Sequence, residues 1–393
     1  PFLISDITLS ILVKSVSSVC SSFLAGITND TAIILPLFNF MVVLYTGIIL
    51  FNNIMIKTKW PKISIITPTL NSARTIDEYF KAIKSQNYRG EIEIVITDGG
   101  STDKTLEIAK INGAKIYKNS LKTAEAGKAL GVKNASGNIY AFIDSDNILE
   151  DSGWLRNLIK PLVEDKEIIA SEPIRFTYRS SDFWLTRYFA LIGMGDPLNL
   201  FIGSYDKYSY VSNRWTNLKL EQTKKDGYIK VKINKQIPTI GANGFLVKKE
   251  IFNKNTIGDY LFDVEIIEDL VQKSPIFVSK VNTGIAHLFS GDVGTFVRKQ
   301  RRRIRDYLYY RQIKKRSGPT NSSYIYFGIF KFVLSCFLFA PIVIQALNGY
   351  MRKKDIVWLF HIPACYITLF SYMYETIRFI FIKEIYNRKG WKQ

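Results

Sequence analysis

Apolar and polar positions along the chain fall into two kinds of pattern. Between about residues 60 and 166, short apolar runs alternate with polar amphipathic stretches, which predicts βα units on a mainly parallel sheet. Strands are expected at 63–66, 92–96, 114–117 and 140–143, with helices at 76–86, 105–112 and 123–134 between them. Outside this region lie stretches of membrane-crossing length. Residues 32–56 carry no charge, enough helix to cross roughly 30 Å of hydrocarbon at about 1.5 Å per residue. Residues 324–350 carry only Lys331 and residues 356–374 carry no formal charge, so a hairpin of two further spans is expected, turning at Met351-Arg352-Lys353-Lys354. Residues 2–27 are apolar but hold Asp6, Lys14 and many serines, so they span weakly or lie in the interface. They lack a basic leader and a clear cleavage site, which argues against a cleaved signal peptide.

Charge assigns sides to these segments. The chain of 393 residues has 53 Lys+Arg against 34 Asp+Glu, a net +19 that suits anionic headgroups, pyrophosphates or nucleic acid. Basic residues crowd after the first span (Lys57, Lys59, Lys62) and along 298–316, which places the central region in the cytoplasm by the positive-inside tendency. Arg352, Lys353 and Lys354 would then face outward, against the rule, so a re-entrant or interfacial hairpin at 324–374 stays open. The expected division is a membrane region at 1–57, a cytoplasmic α/β domain at 58–296, a basic amphipathic segment at 297–323 on an anionic membrane surface, a transmembrane hairpin at 324–382 and a basic tail at 383–393. Cys20, Cys336 and Cys365 all fall in hydrophobic stretches without metal-ligand spacing, so neither a disulfide framework nor a zinc site is expected.

Ligands of open α/β sheets bind beyond the carboxyl ends of the strands. Three expected strands end in Thr67-Pro68-Thr69-Leu70-Asn71, in Thr97-Asp98-Gly99-Gly100-Ser101-Thr102-Asp103 and in Asp144-Ser145-Asp146-Asn147. Asp144 and Asp146 are two apart, so both carboxylates can lean to one side and offer hard oxygen ligands to Mg²⁺ or Mn²⁺. A cation held this way completes its shell with water and phosphate oxygens and neutralises a departing nucleoside diphosphate. A turn with helix-capping aspartates is the plainer alternative. Asp98 can accept from a base or ribose beside Gly99 and Gly100, Asp103 can cap the next helix, and Lys128 is a candidate phosphate contact unless simply solvated.

Residues 63–71, 95–103 and 127–146, in this order and spacing, resemble the N-terminal half of family 2 glycosyltransferases, inverting enzymes of the GT-A type. The resemblance is close over 62–150 and looser to about 305. It implies an α/β, Rossmann-like catalytic domain attached to transmembrane helices. It also implies that Pro68, Asn71, Asp98, Gly99, Lys128 and Asp144 contact a nucleotide-sugar donor, that Asp144 and Asp146 hold its metal, and that Asp269 beside Glu268 is the catalytic base. Glu265, Glu268 and Asp269 also share the spacing of an acidic helix surface. Gln300-Arg301-Arg302-Arg303-Ile304 resembles the Gln-x-x-Arg-Trp motif of the family's membrane synthases, so Gln300 and Arg303 are expected at the diphosphate, but Ile304 replaces the tryptophan. That departure weakens a processive polysaccharide synthase, which would need oligomerisation or a partner to line a channel. The leading expectation is transfer of one sugar to a polyprenyl phosphate or a lipid-linked saccharide. A membrane-tethered nucleic-acid binder explains +19 but not the ordered acids, so no nucleic acid is expected as a partner, and a homo-oligomer is left open. The aromatic-rich residues 176–240 are expected to be either interfacial helices gating a lipid acceptor or ordinary core.

Overall fold

A computed structural model describes residues 60–241, 243–253, 257–261, 263–289, 291–314 and 323–382. The expected span at 32–56, the segment 2–27 and the tail 383–393 lie outside the described residues.

The βα pattern folds as its periodicity dictates. Strand β1 (Ile63–Thr69) is followed by α1 (Ile76–Lys84), β2 (Ile92–Asp98), α2 (Thr105–Ile111), β3 (Lys115–Lys118), α3 (Ala124–Asn134) and β4 (Ile139–Phe142). Helix α1 shows why. Ile76, Tyr79, Phe80 and Ile83 form one buried stripe at helical spacing, with Asp77 and Glu78 in the first turn and Lys81 and Lys84 in the last, matched to the helix dipole. The four strands pair in parallel in the order β3-β2-β1-β4, so the chain reverses direction across the sheet between β1 and β4. That is the switch point at which α/β sheets bind ligands.

Beyond β4 the sheet departs from the mainly parallel expectation. The chain continues through β5 (Asn147–Leu149), α4 (Trp154–Glu164), β6 (Ile168–Phe176), α5 (Trp184–Ile192), α6 (Leu198–Ile202), β7 (Glu221–Lys225), β8 (Tyr228–Ile233), β9 (Phe245–Lys248), α7 (Asp263–Lys273) and β10 (Ile276–His287). Among the described residues ten strands make one sheet, ordered β3-β2-β1-β4-β9-β6-β10-β8-β7, with β5 on the end of β10. Strand β9 runs antiparallel to both β4 and β6, and β8 and β5 run antiparallel to β10, so the sheet is mixed. Strands β9 and β5 are four and three residues long, too short to show a period in the sequence.

The aromatic insertion is core rather than a row of interfacial anchors. Leu185, Tyr188, Phe189, Leu191 and Ile192 of α5 are buried with Phe289, Phe296, Val357 and Trp358. The inserted segment therefore cements the sheet to the C-terminal helices. These are α8 (Val293–Lys314), α9 (Ser323–Leu338), α10 (Ala340–Arg352) and α11 (His361–Ile382). The segment expected as one span at 324–350 is instead α9 and α10, bent by 95°. Phe339 at φ 61° and a proline at the start of α10 account for the break. The basic turn that follows was expected to face outward. It docks on the inserted segment 178–211 instead, as the re-entrant alternative would have it: Arg352 donates to the carbonyls of Tyr210 and Val211, Lys353 lies 4.8 Å from the centre of the Tyr178 ring, and Asp355 accepts from the Tyr178 hydroxyl at 2.7 Å. Among the described residues, 356–381 is the one helix long and apolar enough to cross a membrane.

One buried carboxylate in the parallel half gives a stability test. Glu93 accepts from Ser64 Oγ, Ser136 N and Oγ, and Lys115 Nζ at 2.6 Å. Burial pushes its pKa up, but these four donors outweigh burial and bring it down to about 2. A folded-state pKa below the unfolded value contributes stability above about pH 4.5 that is lost as pH falls toward 2. Glu93→Gln should therefore cost about 3 kcal/mol at neutral pH, and the gap to wild type should close under acid in urea titrations of the two proteins.

Candidate active site

The first two loops at the switch point are joined by their own side chains. Asp98 is buried at the end of β2, where Oδ2 accepts from the Gly100 and Ser101 amides at 2.8 Å and Oδ1 accepts from Thr69 Oγ1 at 2.9 Å. Asn71, at φ 52°, accepts from the Thr102 amide at 2.9 Å and donates its own amide to Ser101 Oγ at 2.9 Å. Asp103 caps α2 through Thr105 and also takes the Ala73 amide at 3.0 Å. Pro68 pairs in register with Thr97, and Gly127 of α3 sits against both: a Cβ there would lie 2.7 Å from Thr97 Oγ1 and 2.9 Å from Pro68 Cβ. Glycine thus brings α3 against the strand ends. Lys128 on the next position is buried rather than solvated, 5.9 Å from the centre of the Phe142 ring.

The third loop is the turn between β4 and β5. Thr67 Oγ1 donates to the Ile143 carbonyl at 2.7 Å and Ser145 Oγ meets Ser72 Oγ at 2.8 Å, which fixes Asp144-Ser145-Asp146 to the β1 loop. The pairing of β5 with β10 sets Asn147 opposite His287 and brings His287 Nε2 to 3.5 Å from Asp146 Oδ2. Burial pushes the Asp146 pKa up, but His287 and the nearby Lys299 ammonium outweigh it and hold the carboxyl below its ordinary range. Lys299 itself is pushed down by burial, opposed by the charge of Asp146. Asn147 donates to Asp146 Oδ1 at 3.1 Å and to Asn243 at 3.2 Å, and among the described residues its own Oδ1 is buried without a partner.

These donors suit a divalent cation. Two cis ligands each about 2.1 Å from a metal stand about 3 Å apart, close to the Asp146–His287 separation. The orphaned Asn147 oxygen can take a hydrogen bond from a metal-bound water. Among the described residues no three His, Cys, Asp or Glu form a ready-made cage.

Helix α8 closes the site. Asp292 receives the Thr295 amide at 2.8 Å and starts the helix, which then carries Phe296, Lys299 and Arg303 into a small cavity also lined by Phe176, Phe189, Gly195, His287 and Phe289. Gln300 Nε2 donates to the Gly195 carbonyl at 3.0 Å, Arg303 Nη1 donates to the same carbonyl, and Arg303 also donates to Gln300 Oε1 at 3.2 Å. A Cβ on Gly195 would lie 2.5 Å from Arg303 Nη2, so glycine is what lets the guanidinium lie there. Gln300 and Arg303 thus stand at the cavity beside Asp146. The expected base pair, Glu268 and Asp269, belongs to another element. They lie on α7, whose Ile266 and Ile267 are buried, and Asp269 is exposed. The approach to α7 is tied to α3 by the Leu261 amide, 2.9 Å from the Glu125 carbonyl.

Sequence reasoning missed His287, Lys299 and Gly195. A chain with only two histidines offered a signal for the first. Lys299 was hidden in the basic run, and Gly195 had no signal.

Comparison with known proteins places the fold and its loops. The family described as "Glycosyl transferase family 2" matches residues 64–256. These residues are a family 2 glycosyltransferase domain. The chain resembles glycosyltransferase AglE of Haloferax volcanii, 27% identical over 141 residues, or 34% of this chain and 46% of that protein. It is also similar to WfaP of Escherichia coli, a UDP-Glc:α-D-GlcNAc-diphosphoundecaprenol β-1,3-glucosyltransferase, 30% identical over 38% of this chain and 57% of that one. The transferase therefore spans about half the length of these curated relatives. Among solved structures, the mannosyltransferase PcManGT from Pyrobaculum calidifontis in complex with GDP-Man and Mn²⁺ aligns over 83% of this chain and 89% of its own. At 13% identity and a TM-score of 0.47 that likeness has no bearing on the chemistry.

Proposed function

We propose that this transferase moves a single sugar from a nucleoside-diphosphate donor to a polyprenyl phosphate at the cytoplasmic surface of a membrane, inverting the anomeric centre. One observation carries the proposal. Helix α8 supplies Lys299 and Arg303 to the cavity beside Asp146 and, through Arg301 and Arg305, grips Glu375 of the apolar helix α11. A pocket for anionic groups and an element of membrane-crossing length are thus parts of one unit. The name of WfaP describes a polyprenyl-linked acceptor, which supports a lipid carrier; its acceptor is a lipid-linked sugar rather than a lipid phosphate.

In this scheme the loops around Pro68, Asn71, Asp98 and Gly99 receive the nucleoside, and Asp144 and Asp146 would hold Mg²⁺ or Mn²⁺, with His287 beside Asp146. Such a cation would neutralise the charge that develops on the departing diphosphate. Lys299 and Arg303 orient the acceptor phosphate, whose oxygen attacks the anomeric carbon opposite the leaving diphosphate as the sugar–oxygen bond to that diphosphate breaks. A phosphate oxygen is already ionised, so no general base is required. The exposure of Asp269 agrees with that.

Asp269→Asn should accordingly slow transfer by less than about tenfold, whereas a base acting on an acceptor hydroxyl would cost roughly 10²–10⁴-fold. The full chain in lipid nanodiscs, given undecaprenyl phosphate and a panel of nucleotide sugars, should yield one product bearing one sugar. A ladder of longer products would point to a processive synthase. A loss of 10²-fold or more in Asp269→Asn would move the acceptor to the hydroxyl of a lipid-linked saccharide.

A further inference from the structure

Residues 356–374 carry no formal charge, yet the next residue of α11, Glu375, is a fully buried carboxylate. Both of its oxygens are taken by α8. Oε1 accepts from Arg301 Nε at 2.5 Å and from Arg305 Nη2 at 2.7 Å, and Oε2 accepts from Arg305 Nε at 2.7 Å. Arg301 also lies over the Tyr374 ring, 4.7 Å from its centre. One turn earlier on α11, the Tyr372 hydroxyl donates to Asp196 Oδ2 at 2.5 Å, while Asp196 Oδ1 accepts from the Leu198 amide at 2.9 Å. Asp196 directly follows Gly195, whose carbonyl receives Gln300 and Arg303.

We infer that Tyr372 and Glu375 are positioning residues for sugar transfer: one turn of α11 fixes both the rotation of α8 and the loop that receives Arg303, and so aims the Arg303 guanidinium. This rests on the role proposed above for Arg303 at the acceptor phosphate. The helix geometry supports it first. At about 100° per residue, Arg301 and Arg305 each lie about 160° around the α8 axis from Arg303, so Glu375 grips the face opposite the cavity. A helix held on one face can roll. Here the front is held at Gly195 and the back at Glu375, and rolling α8 breaks one contact or the other.

The second support is closeness. A Cβ on Gly195 would meet Arg303 Nη2 at 2.5 Å, so the guanidinium and the loop are in direct contact and a shift of either is passed to the other. Misplacing a group that orients a substrate by about 1 Å can cost about 10²-fold in rate. The third is the carboxylate itself. A buried ion pair adds little stability over well-packed apolar side chains of similar volume, so stability alone does not explain an acid at 375, whereas fixing the geometry of α8 does. Neither Tyr372 nor Glu375 lines the cavity, so both act through Arg303. Both also lie beyond residues 64–256, so this support comes from outside the stretch matched to the family.

The test uses the full chain in lipid nanodiscs, with undecaprenyl phosphate as acceptor and UDP-glucose, UDP-N-acetylglucosamine and GDP-mannose as donors. Tyr372→Phe and Glu375→Gln should each lower kcat/KM for undecaprenyl phosphate roughly tenfold, with KM for the nucleotide sugar unchanged. Glu375→Asp should recover part of that loss. In an Arg303→Ala background neither substitution should have a further effect, because the group that they aim is gone. Equal losses with and without Arg303, or donor and acceptor KM shifted alike, would make the contacts merely structural and overturn the inference. So would wild-type kinetics in both variants. Should Glu375→Gln fail to fold, Tyr372→Phe decides by the same comparison. If Arg303→Ala transfers as wild type does, or wild type does not glycosylate undecaprenyl phosphate, the acceptor reading falls and the positioning role with it.

Discussion

Replacing Asp146 by alanine is expected to lower sugar transfer about 10³-fold with the fold intact. Asp146 stands at the end of the sheet's switch point, 3.5 Å from His287 and within the field of Lys299. It is therefore both a proposed metal ligand and an anion beside the Lys299 ammonium. Removing it takes away a carboxylate acting on Lys299 and one of the two proposed carboxylate ligands, leaving Asp144. Chelation of divalent ions from the wild-type protein should produce a loss of the same order, reversed by Mg²⁺ or Mn²⁺. The variant should gain little from either ion. Activity within tenfold of wild type, in a variant that melts normally, would remove Asp146 from the chemistry.

The second large effect concerns stability. Glu172 on β6 and Lys280 on β10 are register partners, both buried, and joined at 2.6 Å. Lys207 from the aromatic insertion reaches the same carboxylate at 3.3 Å and also pairs with Asp206. Two fully buried ammonium groups thus depend on two carboxylates: Glu172 pairs with both, at 3.3 and 2.6 Å, while Asp206 pairs with Lys207 and stands 3.9 Å from Lys280. Glu172→Gln leaves the pair short of one negative charge and should cost about 3–5 kcal/mol in denaturant titrations. Burial already pushes Lys280 down to about 8, so this lysine is the one to shed its proton. An unfolded lysine binds more protons than this buried one between about pH 8 and 10.5, so the variant should regain stability as pH rises through that window. Adding Lys280→Met to Glu172→Gln should restore most of the loss, because the uncompensated charge is gone. No recovery in the double variant would mean that packing around Trp215, 4.9 Å from Lys280, matters more than charge.

Arg303 and His287 show how far the sequence could be read. Arg303 belonged to a recognisable local pattern with Gln300, and the structure places both beside Gly195. Nothing local marked His287, because its partner Asp146 is 141 positions away in sequence, calculated as 287 minus 146, and meets it only through the antiparallel pairing of β10 with β5. The four parallel strands and three helices were legible because each is an amphipathic or apolar segment whose period reports its own conformation. Helix α5 stayed open between two readings for the opposite reason. An aromatic-rich segment has the same composition whether it faces lipid or core, and only the presence of Phe289, Phe296 and Trp358 against it decides.

By itself, then, the sequence determined the properties that neighbours along the chain control: the βα order, the carboxylates at strand ends, the uncharged helices and the basic run. Tertiary structure decided what distant segments do to each other. It turned a presumed straight span into α9 and α10 with a 95° bend, brought the basic turn at 351–354 back onto the inserted segment 178–211, and set His287 and Lys299 beside Asp146. The physical reason is that period and propensity act over a few residues, whereas strand pairing, buried charge and helix docking are fixed by contacts whose partners the local pattern cannot name.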